Sequence, residues 1–146
     1  MLTNKAKYAL RALCALSRLA TGERLHAHAI ADEARVPVKF LEAILVDLRR
    51  AGLVESRRGQ HGGHALARPA TEIMVGDVLR VIDGPLAPVR CASASAYAPC
   101  ADCVEPDTCA LRALMRETRE ALSGVLDHHS LQTLSQGDAG ALPLHA

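Results

Sequence analysis

Aromatic residues are almost absent from this chain. They make up 2% of it, as one Phe, two Tyr and no Trp. A core must therefore be built from Leu, Val, Ile and Ala, which favours helices over a β-sandwich. No apolar run approaches the roughly 18 residues that a membrane-spanning helix needs. The first residues lack the continuous apolar stretch of a signal peptide, because Lys5, Lys7, Arg11 and Arg18 interrupt them. The expected location is the cytoplasm. No glycine-rich phosphate loop, no nucleophile–base pattern and no internal repeat is present, so the sequence offers no enzyme. The rival class is a thiol or cluster-transfer protein. Its one motif, Cys100-Ala101-Asp102-Cys103, lacks the strand-to-helix context of thioredoxin-type chemistry.

The chain has 146 residues, 49% of them hydrophobic, enough for one packed domain with an appendage. Its net charge of +1 hides an asymmetry. Residues 1–68 carry 12 Lys and Arg against 6 Asp and Glu, whereas residues 69–146 carry 5 against 10. The first part is suited to an anionic partner and the second is not.

Helical spacing of Ala9, Leu10, Leu13, Cys14, Leu16 and Leu19 predicts a first helix over residues 4–20, with Cys14 as a buried small hydrophobe. A short helix follows over 26–34. A third runs over 38–51, with Phe40, Leu41, Ile44, Leu45 and Leu48 on one apolar face. Pro37 fits its first turn and Gly52 ends it. Residues 53–56 and 64–67 read as two strands of a hairpin around the basic, glycine-rich turn 57–63. A fourth helix spans 75–83, and Gly84-Pro85 breaks it. Residues 86–108 hold three prolines and no period, so a loop is expected, ahead of a long helix over 109–129. Within that helix the steps through Leu111, Leu114, Thr118, Ala121 and Val125 form a coiled-coil-like seam, with Leu122 beside it. His128 and His129 are adjacent and face different sides of a helix, so they form no joint metal site. His26 and His28 read as surface residues.

Helix, short helix, turn, helix, hairpin is the order of a winged helix-turn-helix, a mainly α fold whose third helix lies in the major groove. Lys39 and Glu42 then face the bases: Lys can donate to guanine O6 and N7, and Glu can accept from a cytosine amino group. Arg57, Arg58, Gln60 and His61 occupy the hairpin tip, where arginines reach phosphates or a narrow minor groove. Each feature alone is an ordinary charged surface. Their order on the basic part of the chain points to double-stranded DNA.

Four cysteines fall within nineteen residues, as Cys91-x8-Cys100-x2-Cys103-x5-Cys109. In a reducing compartment such clusters bind metal or sense redox more often than they form structural disulfides. Thiolates suit an iron–sulfur cluster or tetrahedral zinc, and the spacing does not choose between them. A metal-free thiol switch is the third possibility.

The ordered set Tyr8-Ala9-Leu10-Arg11, Ile30-Ala31, Phe40-Leu41-Glu42, Ile44-Leu45, Leu48, Ala51-Gly52-Leu53-Val54, Arg58-Gly59, Gly62-Gly63 and Leu66-Ala67-Arg68-Pro69 resembles the Rrf2 family of bacterial winged-helix regulators, the group of IscR, NsrR and RirA. The resemblance runs from about residue 1 to 130. It implies a homodimer joined along the long last helix and a palindromic operator, with the sign of regulation left open between repressor and activator. It also implies an iron–sulfur cluster, 2Fe–2S or 4Fe–4S, on three cysteines between the fourth helix and the dimer helix. Cys91 and Cys109 match the first and third of these, and Cys103 resembles the second. Cys100 is additional. Some members complete the set with a histidine after the last cysteine, where this chain has Arg112. Others use an aspartate of the first helix, where it has Lys7. Cys100 is therefore the candidate fourth ligand. The aromatic usual after Gly-Gly in the hairpin is His64 here. The implied division is a DNA-binding domain over 1–83, a cysteine loop over 84–108, a dimerisation helix over 109–132 and a flexible tail over 133–146.

Overall fold

The computed structural model describes residues 2–137. The described residues form six α-helices and one small hairpin: α1 (Asn4–Ser17), α2 (Ala27–Ala34), α3 (Val38–Arg50), β1 (Val54–Arg57), β2 (Gly63–Leu66), α4 (Val75–Asp83), α5 (Ala110–Leu126) and α6 (Leu131–Gln136). Two 3-10 turns, Arg90–Ala92 and Pro106–Thr108, punctuate the segment between α4 and α5. This is a winged helix-turn-helix with a long helix appended.

Helix α1 is the hub and packs on α2, α3, α4 and α6. Ala6, Ala9, Ala12 and Ala15 are buried along it, and these small side chains let the neighbouring helices approach closely. Thr3 caps it, accepting from the Ala6 N–H at 3.1 Å. Leu13, Ile30, Leu41, Ile44, Leu48, Leu53, Ile73 and Leu131 fill the core and are essentially inaccessible. Truncating one of these leucines to alanine costs about 2–5 kcal/mol. Cys14 is 6% exposed among them, and burial pushes its thiol up to about 11, Arg18 opposing.

The wing pairs antiparallel, Val54 opposite Leu66 and Arg57 opposite Gly63. A third arm joins it, because Leu25 and His64 exchange backbone hydrogen bonds of 3.0 and 2.7 Å. Gly63 makes that approach possible: it sits at φ 120°, and a Cβ there would lie 2.7 Å from the Leu25 carbonyl oxygen.

Several sequence expectations shift. Helix α1 stops at Ser17, short of residue 20, with Arg18 as its C-cap. Pro37 is the N-cap of α3 and lies just outside the first turn. Phe40 leaves the apolar face: it is 61% exposed and leans on Tyr8 of α1, with ring centroids 6.3 Å apart. It lies at the border of the stripe, beside the buried Leu41, Ile44, Leu45 and Leu48. The long helix ends at Leu126, and residues 131–136 form the separate α6. Leu131 is fully buried, and its N–H donates to the Ile73 carbonyl at 2.8 Å. The part of the expected tail over 138–146 lies outside the described residues.

Candidate metal centre and nucleic-acid interface

The cysteine loop is fastened to α5 by two arginines. Arg112 Nε donates to the Cys91 carbonyl at 3.0 Å, and its Nη1 donates to the Pro106 carbonyl at 3.2 Å and the Asp107 carboxylate at 2.9 Å. The Tyr97 ring lies 5.5 Å from the same guanidinium. One turn-pair further along, Arg119 Nη1 donates to the Ala92 carbonyl at 2.7 Å. Residues seven apart on a helix share a face to within about 20°. That spacing of Arg112 and Arg119 is the sequence signal for this brace, and Arg112 occupies the position where some relatives have a histidine.

The four cysteines differ in setting. Cys91 is buried on the first 3-10 turn, Cys100 is exposed, and Cys103 and Cys109 are half-buried. Cys109 is the N-cap of α5, its sulfur accepting from the Arg112 N–H at 3.4 Å. Cys100 Sγ donates to Cys91 Sγ at 3.8 Å, and this contact raises the Cys100 thiol above its ordinary range. Two thiolates on one tetrahedral ion with bonds of about 2.3 Å stand about 3.8 Å apart. The donors thus fit a thiolate-held group in kind, and Cys91 with Cys100 supply one edge of it. Cys103 and Cys109 do not join them: among the described residues no three Cys, His, Asp or Glu converge as a metal site. A four-thiolate site would need Cys103 and Cys109 to approach the edge formed by Cys91 and Cys100.

The seam expected on α5 is uncovered. Leu111, Leu114, Leu122 and Val125 are 60%, 55%, 41% and 57% exposed, and no residue of α5 is buried. Ala121 is exposed and Thr118 half-buried beside them. At its far end α5 is tied to α4 by a two-pronged pair, Arg80 Nη1 and Nη2 to the Asp127 carboxylate at 2.7 and 2.8 Å. The guanidinium holds the Asp127 carboxyl below its usual range. Gly76 makes room, since a Cβ there would collide with Asp127.

At the other pole, Lys39 and Glu42 are exposed on the first turns of α3. Arg57, Arg58, Gln60 and His61 are exposed around the wing turn. The turn is tight: Gly62 N–H donates to the Gly59 carbonyl at 3.0 Å, and a Cβ on Gly62 would meet the Arg57 carbonyl. A shallow cavity of about 180 Å³ between α3 and the wing is lined by Glu42, Val46, Arg49, Ser56 and His64. Ser56 Oγ and His64 Nδ1 are hydrogen-bonded at 2.7 Å. Burial, then the positive charge of His26, Arg49 and Arg24, holds the His64 imidazole below its ordinary value. In the sequence Arg49 carries no signal for this junction, and His64 stands out only as the residue in place of the hairpin's usual aromatic. The strand bounds read from the sequence, 53–56 and 64–67, already set Ser56 opposite His64, and the observed register keeps that pairing.

Residues 2–137 match the family model described as Rrf2, iron-dependent transcriptional regulator. An Rrf2-like helix-turn-helix regulator of Rhodobacter capsulatus is 39% identical over 137 residues, covering 92% of this chain and 91% of that protein. The regulator NsrR of Geobacillus kaustophilus is 34% identical over 138 residues, covering 94% and 91%. Among solved structures, CymR, the global cysteine regulator of Bacillus subtilis, superposes with a TM-score of 0.75 at 29% identity, covering 95% of this chain and 98% of that one.

Proposed function

This chain belongs to the Rrf2 family of transcriptional regulators, which is a family of DNA-binding proteins and not of enzymes, and on that premise we propose that it is a cytoplasmic homodimer that senses iron, nitric oxide or redox state through an iron–sulfur cluster held by Cys91, Cys100, Cys103 and Cys109. The observation that carries the reading is the brace: the cysteine-bearing turn Arg90–Ala92 is hydrogen-bonded directly to α5 through Arg112 and Arg119.

When bound, such a cluster supplies a redox-active centre open to oxygen and nitric oxide. The chain's own residues supply the rest. Cys91 would hold the group from the buried side and Cys100 from the exposed side, with Cys103 and Cys109 closing in from the segment that leads into α5. Arg112 and Arg119 keep the loop backbone on α5. Arg80 and Asp127 join α5 to α4, and α4 packs on both α1 and α3. A change in the loop is thereby carried through packed elements to the helix that presents Lys39 and Glu42. Two copies joined along Leu111, Leu114, Thr118, Ala121, Leu122 and Val125 would set two such helices on a palindromic operator. The wing tips would add Arg57, Arg58, Gln60 and His61 to the flanking backbone. In this scheme residues 1–83 read DNA, 84–108 hold the group and 109–132 serve dimerisation.

The 3.8 Å edge supports a second reading, a single zinc ion on the same thiols. Anaerobic purification followed by iron, sulfide and zinc analysis separates the two. Broad absorbance near ~320–420 nm with matched iron and sulfide supports the cluster. A colourless protein with one zinc per chain selects the second reading. Selection of DNA from a random library, with and without the metal, tests the regulator: one enriched palindrome whose affinity changes on metal loss is expected, and affinity unmoved by metal would overturn the sensing.

A further inference from the structure

We propose that Cys91 and Cys100 are an oxidative modification site: in the metal-free protein they form an intramolecular disulfide. The pairing goes beyond the cofactor reading and does not depend on it.

The sequence motif points elsewhere. Cys100-Ala101-Asp102-Cys103 is the dithiol spacing one would choose from the primary structure. In the fold those two residues share a backbone turn, Cys103 N–H donating to the Cys100 carbonyl at 3.3 Å, while the Cys100 sulfur lies against Cys91 at 3.8 Å. A disulfide bond is about 2.05 Å long, so the two sulfurs must close by about 1.8 Å, within the reach of rotation about the Cys100 side chain and a small loop shift.

The partners have unequal freedom. Cys91 is 8% exposed, on a turn whose carbonyls are held by Arg112 and Arg119. Cys100 is exposed, just after Pro99. An oxidant in solution therefore meets Cys100 first, and the immobile Cys91 stands beside it as the resolving thiol. With a hydroperoxide as oxidant, the Cys100 sulfur attacks the terminal oxygen, the O–O bond breaks, and a sulfenic acid and water (or an alcohol) form. The Cys91 sulfur then attacks the Cys100 sulfur. The S–S bond forms, the S–O bond breaks, and hydroxide leaves with the Cys91 proton as water. Two thiols give up two hydrogens and two electrons, and the peroxide takes them. The product removes two of the four loop thiols from metal binding, so oxidation and reloading exclude each other until a thiol reductant reopens the bond.

The test uses the full chain, stripped of metal by chelator and reductant, desalted without oxygen and treated with hydrogen peroxide. Remaining thiols are blocked with iodoacetamide. Trypsin together with cleavage before aspartate places Cys91 and Cys100 on one peptide, residues 91–101, with Cys103 on 102–106 and Cys109 on 107–112. The expected result is a 91–101 peptide lighter by two hydrogens and free of label, with Cys103 and Cys109 both labelled. In Cys100→Ser, Cys91 should be labelled again. A cross-link from 91–101 to 102–106, or Cys100 stopping at sulfinic acid, would overturn the assignment. A protein that never binds metal would sink the cofactor reading and leave this mapping unaffected.

Discussion

Arg112 and Cys91 are bonded through the main chain, the guanidinium Nε donating to the cysteine carbonyl at 3.0 Å while the cysteine side chain is left to other partners. The arginine thus fixes where the sulfur starts from without competing for it. Only 19% of the Arg112 side chain is exposed, and its planar fork serves two carbonyls and a carboxylate at once.

Arg112→Lys keeps the charge and loses the fork. The bound metal or cluster should then be lost to a chelator roughly 10-fold faster, in line with the 10–100-fold effects of residues that orient ligands. Decay of the visible absorbance, or of bound zinc, measures it. A decay rate equal to that of the unaltered protein would show that the brace does not support the site.

The two groups proposed to face DNA should separate in kind. Arg58→Ala should weaken binding to every sequence and reduce the slope of log affinity against log salt by about one. Glu42→Ala should instead relax the preference at one position, by about 1–3 kcal/mol. Binding across a mutated operator set at several salt concentrations distinguishes them; an unchanged base profile for the Glu42 variant contradicts its role.

Leu114→Glu and Val125→Glu place charge on the bare seam of α5. Because both side chains are more than half exposed in the single chain, its own melting should move by no more than about 0.5 kcal/mol. Sedimentation should show the shift from dimer to monomer. Dimers that survive both changes would move the contact off this helix.

His64 gives the wing a pH dependence of defined sign. The unfolded imidazole takes a proton at its ordinary value of 6.5, and the folded one resists because burial, His26, Arg49 and Arg24 oppose the charge. The unfolded state therefore binds more protons below that value, and stability falls as the solution is acidified through it. Melting temperatures from about pH 7.5 to 5.5 should drop for the unaltered chain more than for His64→Phe. Parallel curves would show that another group carries the dependence.

The helices and wing were legible because each has a local cause. The apolar period of 75–83 sets α4 at Val75–Asp83, and the glycines around Arg57 and Arg58 mark the turn. The remaining features depend on distant partners. Helix α6 is six residues long, too short to display a period, and exists because Leu131 finds Ile73 across the fold. Phe40 looks like core by hydropathy and lies at the edge of the stripe by geometry. The cysteines announced a thiol site, yet their spacing suggested Cys100 with Cys103, and only the folded loop sets Cys100 on Cys91.

The return of the chain to the core at Leu131 restricts how two copies can meet. Exchange of arms between copies needs a segment that can leave its own body at little cost. Here the end of α5 is clamped by Asp127 on Arg80 and then nailed down four residues later by a fully buried leucine. Swapping would first empty that leucine's socket, at about 2–5 kcal/mol. The helix behaves as a handle fixed to its vessel, and in the proposed dimer two vessels would join by laying their handles side by side.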